Sequence, residues 1–220
     1  MGDRVAKTAL YDALATVAKA LGNGRRAELV DVLAQGERSV DDLAREIQQS
    51  VANTSQHLQV LGRAGLVVPR RDGNRVLYRL AGGAEELWSA MRAVGSATVD
   101  GVTRLATAYL GDRSTLEQVS RRELASRLRD GAVLVWDVRP PAEYAAGHIA
   151  GALSVPPEEV RRRLRGLPPR SELVAYCRGA FCAYADDAVR ALKKAGHRAG
   201  RLEDGFPEWR RAGLPVEVPA

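Results

Sequence analysis

Cysteine is almost absent from this chain: 220 residues hold only Cys177 and Cys182. That scarcity excludes a disulfide scaffold and points to a reducing, cytoplasmic setting. Apolar runs are short. None approaches the roughly 18 residues that span a bilayer, and Met1–Lys7 lacks the apolar block of a secretion signal, so no membrane partner is expected. Lysine is scarce too: four of the 33 basic residues are lysine, a bias that reflects genome composition rather than function.

What remains is an ordinary soluble composition, 45% apolar and 27% charged, with room for one large domain or two of ordinary size. The net charge of +6 and isoelectric point near 9.7 permit a nucleic-acid partner without requiring one. The first 110 residues carry 14 basic and 12 acidic side chains, the rest 19 and 15. The excess is not concentrated in either half, so a DNA interface must rest on local placement of charge.

Residues 1–110 read as mostly helical. Ala9, Leu10, Leu14, Val17, Ala18 and Leu21 recur at helical spacing up to the Gly22-Asn23-Gly24 break. Further helices are predicted over 25–34, over 40–47 behind Ser39 as N-cap with Asp42 three residues on, and over 52–64. Leu66–Pro69 and Val76–Leu80 flank an Asp72-Gly73 step, a hairpin signal. One long helix is predicted over 84–110. The segment from Val51 to Val67 resembles the recognition-helix signature of the ArsR family of bacterial repressors, and the hairpin over 70–80 resembles that family's wing. The resemblance implies a winged helix-turn-helix, a homodimer joined through its first and last helices, and double-stranded operator DNA as partner. Asn53, Thr54, Ser55, Gln56, His57 and Gln59 would then meet bases and phosphates, with Arg70, Arg71 and Arg75 on the wing. Read without the motif, the same residues are a solvated helix face beside a basic turn.

Beyond a polar joint at 111–115 the pattern changes. Apolar runs at 132–138 and 172–176, and a third strand at 198–202, alternate with helices at 121–128, 142–146, 157–164, 183–195 and 207–212, which argues for a parallel sheet covered by helices. Three ordered motifs resemble the rhodanese domains: Asp137-Val138-Arg139 with Glu143-Tyr144 and Gly147–Ala152, then Tyr176-Cys177-Arg178-Gly179, then Asp204–Trp209 with Ala212–Val216. The expected architecture is an α+β two-domain chain: a DNA-binding and dimerisation domain over 1–110, a linker over 111–115, and a rhodanese-like α/β domain with a central parallel sheet over 116–220.

A thiol at the mouth of a strand-to-helix turn meets backbone N–H groups and the positive end of a helix, both of which favour thiolate. Cys177 is the expected nucleophile. The rhodanese resemblance implies that it takes the outer sulfur of thiosulfate, a polysulfide or a persulfide, with Arg178 adding positive charge and Gly179, Ala180 and Phe181 cradling the anion. Many rhodaneses end this loop in Arg or Thr. Cys182 stands there instead, either as a resolving thiol or as a small buried hydrophobe. Asp137, Arg139 and Glu143 read as ties between strand and helix rather than an acid–base set, and His148 as a turn residue. No cofactor is expected. Metal ligands of the familiar ArsR types are missing, since the third helix has no cysteine and the last has no histidine. Three functions stay open: a regulator that senses or transfers sulfane sulfur, a sulfurtransferase whose helix-turn-helix only dimerises or localises it, and a rhodanese fold that binds oxyanions such as arsenate.

Overall fold

The computed structural model describes residues 3–218. They divide into two compact units, the first running to Thr98 and the second from Val99. The first comprises α1 (Arg4–Leu21), α2 (Gly24–Leu33), β1 (Arg38–Ser39), α3 (Val40–Glu46), α4 (Val51–Arg63), β2 (Val67–Asp72), β3 (Arg75–Leu80) and α5 (Ala84–Thr98). Side-chain caps start the helices: Asn23 accepts from Arg25 and Arg26 amides, Ser39 from Asp42 and Ser50 from Asn53, each satisfying an otherwise orphaned N–H. Strands β2 and β3 pair antiparallel from Val67↔Leu80 to Asp72↔Arg75, so the hairpin closes on a two-residue turn. Leu29, Leu43, Ile47, Leu58, Leu61 and Tyr78 form the core. Trp88 fastens α5 to α2 through Nε1, which donates to Asp31 Oδ1 at 2.7 Å.

The second unit contains α6 (Asp100–Leu110), β4 (Glu117–Val119), α7 (Arg121–Arg129), β5 (Leu134–Asp137), α8 (Pro141–Ala146), β6 (His148–Ile149), β7 (Leu153–Ser154), a 3-10 turn at Pro157–Glu159, α9 (Val160–Leu164), β8 (Glu172–Tyr176), α10 (Tyr184–Lys194), β9 (Arg198–Leu202), α11 (Phe206–Arg211) and β10 (Val216–Glu217). Five strands pair in parallel in the order β4-β9-β8-β5-β7. One core packs Trp136, Leu173 and Ala175 with Val189 and Leu192 of α10. The core on the opposite face holds Val135, Val174, Tyr176, Phe206 and Trp209.

The long helix predicted over 84–110 is two helices. Val99 adopts an extended conformation, φ −106 and ψ 96, between α5 and α6. The cause is local: Thr98 and Val99 are both β-branched, and Thr98 Oγ1 donates back to Val94 O at 2.8 Å, a bond that bends helices. Asp100 then opens the next helix. Helix α6 consequently falls in the second unit by its contacts, whereas the sequence places the boundary at residue 110. Short polar β4, at the sheet edge, gave no apolar pattern from which to predict it.

Candidate functional site

Strand alternation sets the sulfur site. Along β8, Leu173, Ala175 and then Cys177 fall on the face beneath α10, while Val174 and Tyr176 fall on the other. Cys177, one residue past the strand, is therefore delivered to the N-terminal end of α10 and is 1% exposed. Gly179 takes φ 149, a value glycine tolerates for want of a Cβ, and its carbonyl accepts from Cys182 N at 3.2 Å. Gly205 closes the loop from the far side, where an added Cβ would lie 2.2 Å from Arg178 O. Phe206 N, next in the chain, donates to Cys177 O at 3.3 Å. Ala180, Phe181 and Cys182 are half-buried.

Both cysteines are free, and Cys177 Sγ lies 3.6 Å from Cys182 O and 4.0 Å from Gly179 O. The amides of Ala185 and Gly179 favour ionisation of the Cys177 sulfur, those of Tyr184 and Arg178 ionisation of the Cys182 sulfur. The ring of N–H dipoles expected around one sulfur is thus shared between two. Burial outweighs the amides at Cys177 and pushes its thiol well above the usual range, with the neighbouring Cys182 adding to the rise. Interaction with the neighbouring Cys177 thiol, aided by the Tyr184 and Arg178 amides, brings Cys182 down to about 7. Desolvation thus opposes the amide dipoles expected to ionise Cys177, and Cys182 is the more acidic of the two.

Arg178 is paired with a carboxylate. Its Nη2 and Nε lie 2.6 and 2.9 Å from Oε1 of Glu143, a carboxylate 1% exposed. The guanidinium is neutralised rather than held open for an incoming anion. The tie expected of Asp137 and Arg139 is present: they form a fully buried pair at 2.5 Å, and Arg139 Nη2 also donates to Gly147 O at 2.7 Å. Tyr176 Oη donates to Asp137 Oδ2 at 2.5 Å and accepts from Ile149 N at 3.1 Å. His148 stacks on Tyr144 with ring centroids 3.7 Å apart.

In the first unit, α4 presents Asn53, Gln56 and Gln59 to solvent, with Ser55 and His57 half-buried. Thr54 does not share that face. It is 0% exposed because 54, 58 and 61 lie on the inward stripe with Leu58 and Leu61, and this removes it from the expected DNA contacts. Arg71 and Arg75 stand exposed on the hairpin. Arg70 is exposed but paired, its Nη2 2.5 Å from Glu37 Oε2.

The matches to known proteins follow this division. Residues 23–68 match the model of the bacterial regulatory protein, arsR family, and residues 120–212 that of the rhodanese-like domain. HTH-type transcriptional regulator Rv0324 of Mycobacterium tuberculosis is 44% identical over 212 residues, 96% of this chain and 93% of that protein. The chain belongs to the ArsR family. Its C-terminal portion is separately similar to a sulfurtransferase of Allochromatium vinosum, 34% identical over 106 residues, covering 47% of this chain and 97% of that protein. A solution NMR structure of the homodimeric winged helix-turn-helix DNA-binding domain of Mb0332 from Mycobacterium bovis is 40% identical, covers 46% of this chain and 93% of its own, and superposes with a TM-score of 0.43.

In this ArsR-family chain α3, α4 and the β2–β3 hairpin make the winged helix-turn-helix, and the five-stranded unit is the rhodanese-like domain. Among the described residues no group of three or more His, Cys, Asp or Glu side chains is placed to hold a metal ion, and no helix is long and apolar enough to cross a membrane. Sequence reasoning missed three charged residues beside the cysteine loop: Arg113, Asp186 and Arg201. The one available signal was Arg201, a charge set among Ala199, Gly200 and Leu202 of its strand.

Proposed function

We propose that this chain is a cytoplasmic, homodimeric DNA-binding transcription regulator whose rhodanese-like domain senses or transfers sulfane sulfur on the Cys177–Cys182 pair. The observation that carries the reading is the pair itself: two free thiols on one loop, with Cys177 Sγ 3.6 Å from Cys182 O and Cys182 brought down to about 7, on a chain that also carries a winged helix-turn-helix. Exposed Leu10 and Leu14 on α1 and Val94 on α5 support pairing of two copies through the first and last helices of the first unit. The name of the full-length relative, a transcriptional regulator, favours regulation over an enzyme that merely carries a helix-turn-helix.

The chemistry is thiol–persulfide exchange. The Cys182 thiolate attacks the outer sulfur of a hydropersulfide R–S–SH; the donor S–S bond breaks, RS⁻ leaves, and Cys182–S–SH forms. Cys177, after losing its proton to solvent, then attacks the Cys182 sulfur and expels HS⁻, leaving a Cys177–Cys182 disulfide. Two thiols are oxidised and one sulfane sulfur is reduced to sulfide. In this reading the more exposed and more acidic sulfur enters first, and Cys177 follows as the resolving thiol. With Arg178 neutralised by Glu143, a persulfide or polysulfide suits the loop better than doubly charged thiosulfate.

Operator binding decides the reading. DNA selected by the protein from a random pool is titrated with wild type and Cys177→Ser, each with and without polysulfide. A polysulfide-dependent change in wild-type affinity that the variant lacks is expected; four equal affinities remove the sensing role. Cyanide-dependent release of thiocyanate from thiosulfate, if rapid in protein that binds no DNA, would favour the enzyme.

A further inference from the structure

Behind the cysteine loop lie three charges that the exchange chemistry leaves unused. Arg201, on β9, is 3% exposed, and its Nε lies 2.8 Å from Asp186 Oδ1. Asp186, in the first turn of α10, is wholly buried and meets Arg113 Nε at 2.5 Å through its other oxygen. The remaining nitrogens of Arg113 donate to the loop carbonyls of Ala180 at 2.7 Å and Cys182 at 2.9 Å. Arg201 Nη1 reaches only a neutral partner, Gln118 Oε1, at 3.2 Å. Its Nη2 is buried and makes no hydrogen bond.

The charges do not balance. Two guanidiniums share one carboxylate; Arg113 keeps some access to water, with its side chain 20% exposed, but the Arg201 side chain, 4% exposed, does not. An uncompensated charge there is strongly disfavoured. Arg201 stands beside Ala175 in the sheet register, two residues before Cys177 and on the same face beneath α10; the charged groups acting on it are Arg113 from the segment after α6, Asp186 from α10 and the two cysteines. Arg178 and Glu143 cancel one another. Only the cysteine pair remains to supply the missing negative charge.

We propose that Arg201 is the counter-ion of the Cys177–Cys182 pair: it holds one anionic sulfur, as thiolate before loading and as the terminal sulfur of a persulfide afterwards, with Nη2 as the waiting donor. The assignment of the loaded state rests on the sulfur-carrier reading above. Exchange with R–S–SH leaves the site's charge unchanged once Cys–S–SH gives its proton to RS⁻. The same guanidinium therefore serves both states, and Asp186 with Arg113 positions it.

The test uses the full-length protein with Arg201→Met, which keeps length without charge, Arg201→Lys, and Asp186→Asn. Thiolate absorbance is followed against pH, and sulfur uptake from sodium polysulfide is followed by intact mass. Arg201→Met is expected to move the ionisation midpoint upward by about one unit and to slow loading about tenfold at neutral pH; Arg201→Lys restores most of both. Asp186→Asn removes the competing carboxylate and moves the midpoint downward, a reversal of sign that loss of packing would not produce. A wild-type midpoint and loading rate in Arg201→Met overturn the proposal. Should that variant not fold, Asp186→Asn decides alone, and a midpoint unchanged or raised overturns it. If wild type takes up no sulfur while the midpoints move as expected, the sulfur-carrier reading fails and the counter-ion assignment of the thiolate stands.

Discussion

Cys177 Sγ donates to the carbonyl oxygen of Cys182 at 3.6 Å, five residues further along the same loop. Burial makes Cys177 the harder of the two thiols to ionise, and its neighbour makes Cys182 the easier. Each cysteine's acidity depends on the other.

Alkylation of wild type at Cys182 should therefore rise with pH around a midpoint near 7. Cys177→Ala removes the neighbouring thiol and should shift that midpoint upward, toward the range of an ordinary thiol. Iodoacetamide kinetics with peptide mapping measure both. Stability responds with opposite signs. Cys182, depressed on folding, contributes above its unfolded value and loses that contribution as pH falls through about 7. Cys177, raised on folding, contributes below the ordinary thiol range and loses it as pH rises.

On the wing, Arg71→Ala and Arg75→Ala should each weaken operator binding regardless of sequence and reduce the salt slope of the binding constant by about one. Arg70→Ala should reduce it less, because Glu37 already occupies that guanidinium. Fluorescence anisotropy over a series of salt concentrations distinguishes the three.

Thr54 Oγ1 is buried and makes no hydrogen bond. Thr54→Val keeps the shape and removes the unsatisfied hydroxyl, and should raise the stability of the winged helix by about 1 kcal/mol. Operator affinity should be unchanged, because the side chain faces the core. Urea unfolding and DNA titration of the same variant check both halves of the expectation.

Asp137→Ala strands Arg139 in the interior without its carboxylate, at an expected cost of about 3–5 kcal/mol. Tyr176→Phe removes one hydrogen bond to that carboxylate and one from Ile149 N, at about 1–2 kcal/mol. Trp136 and Trp209 lie in the cores of the same domain, so their fluorescence during denaturation reports the loss.

Much of this was legible in the residues. The Ser39 cap, the strand over 198–202 and the position of Cys177 at a strand end all follow from local pattern. What escaped the sequence depends on neighbours distant in the chain. Glu143 meets Arg178 across 35 positions, Arg113 meets Asp186 across 73, and neither pairing leaves a periodic trace. The burial that raises Cys177 escapes the sequence for the same reason. Backbone dipoles can be inferred from a strand-to-helix turn, but the depth of burial that defeats them cannot. Thr54 was misplaced by reading composition instead of phase, since its spacing to Leu58 and Leu61 already marked it as inward.

Gly205 lies so close to the carbonyl of Arg178 that no side chain fits between them, and the next amide grips Cys177 O. The loop is clamped at its start, while its far end rests on the guanidinium of Arg113. Any strain from joining or lengthening the sulfurs must then be absorbed at Ala180–Cys182. The fixed glycine end acts as a fulcrum, and Arg113, three residues after α6, is where the displacement is delivered.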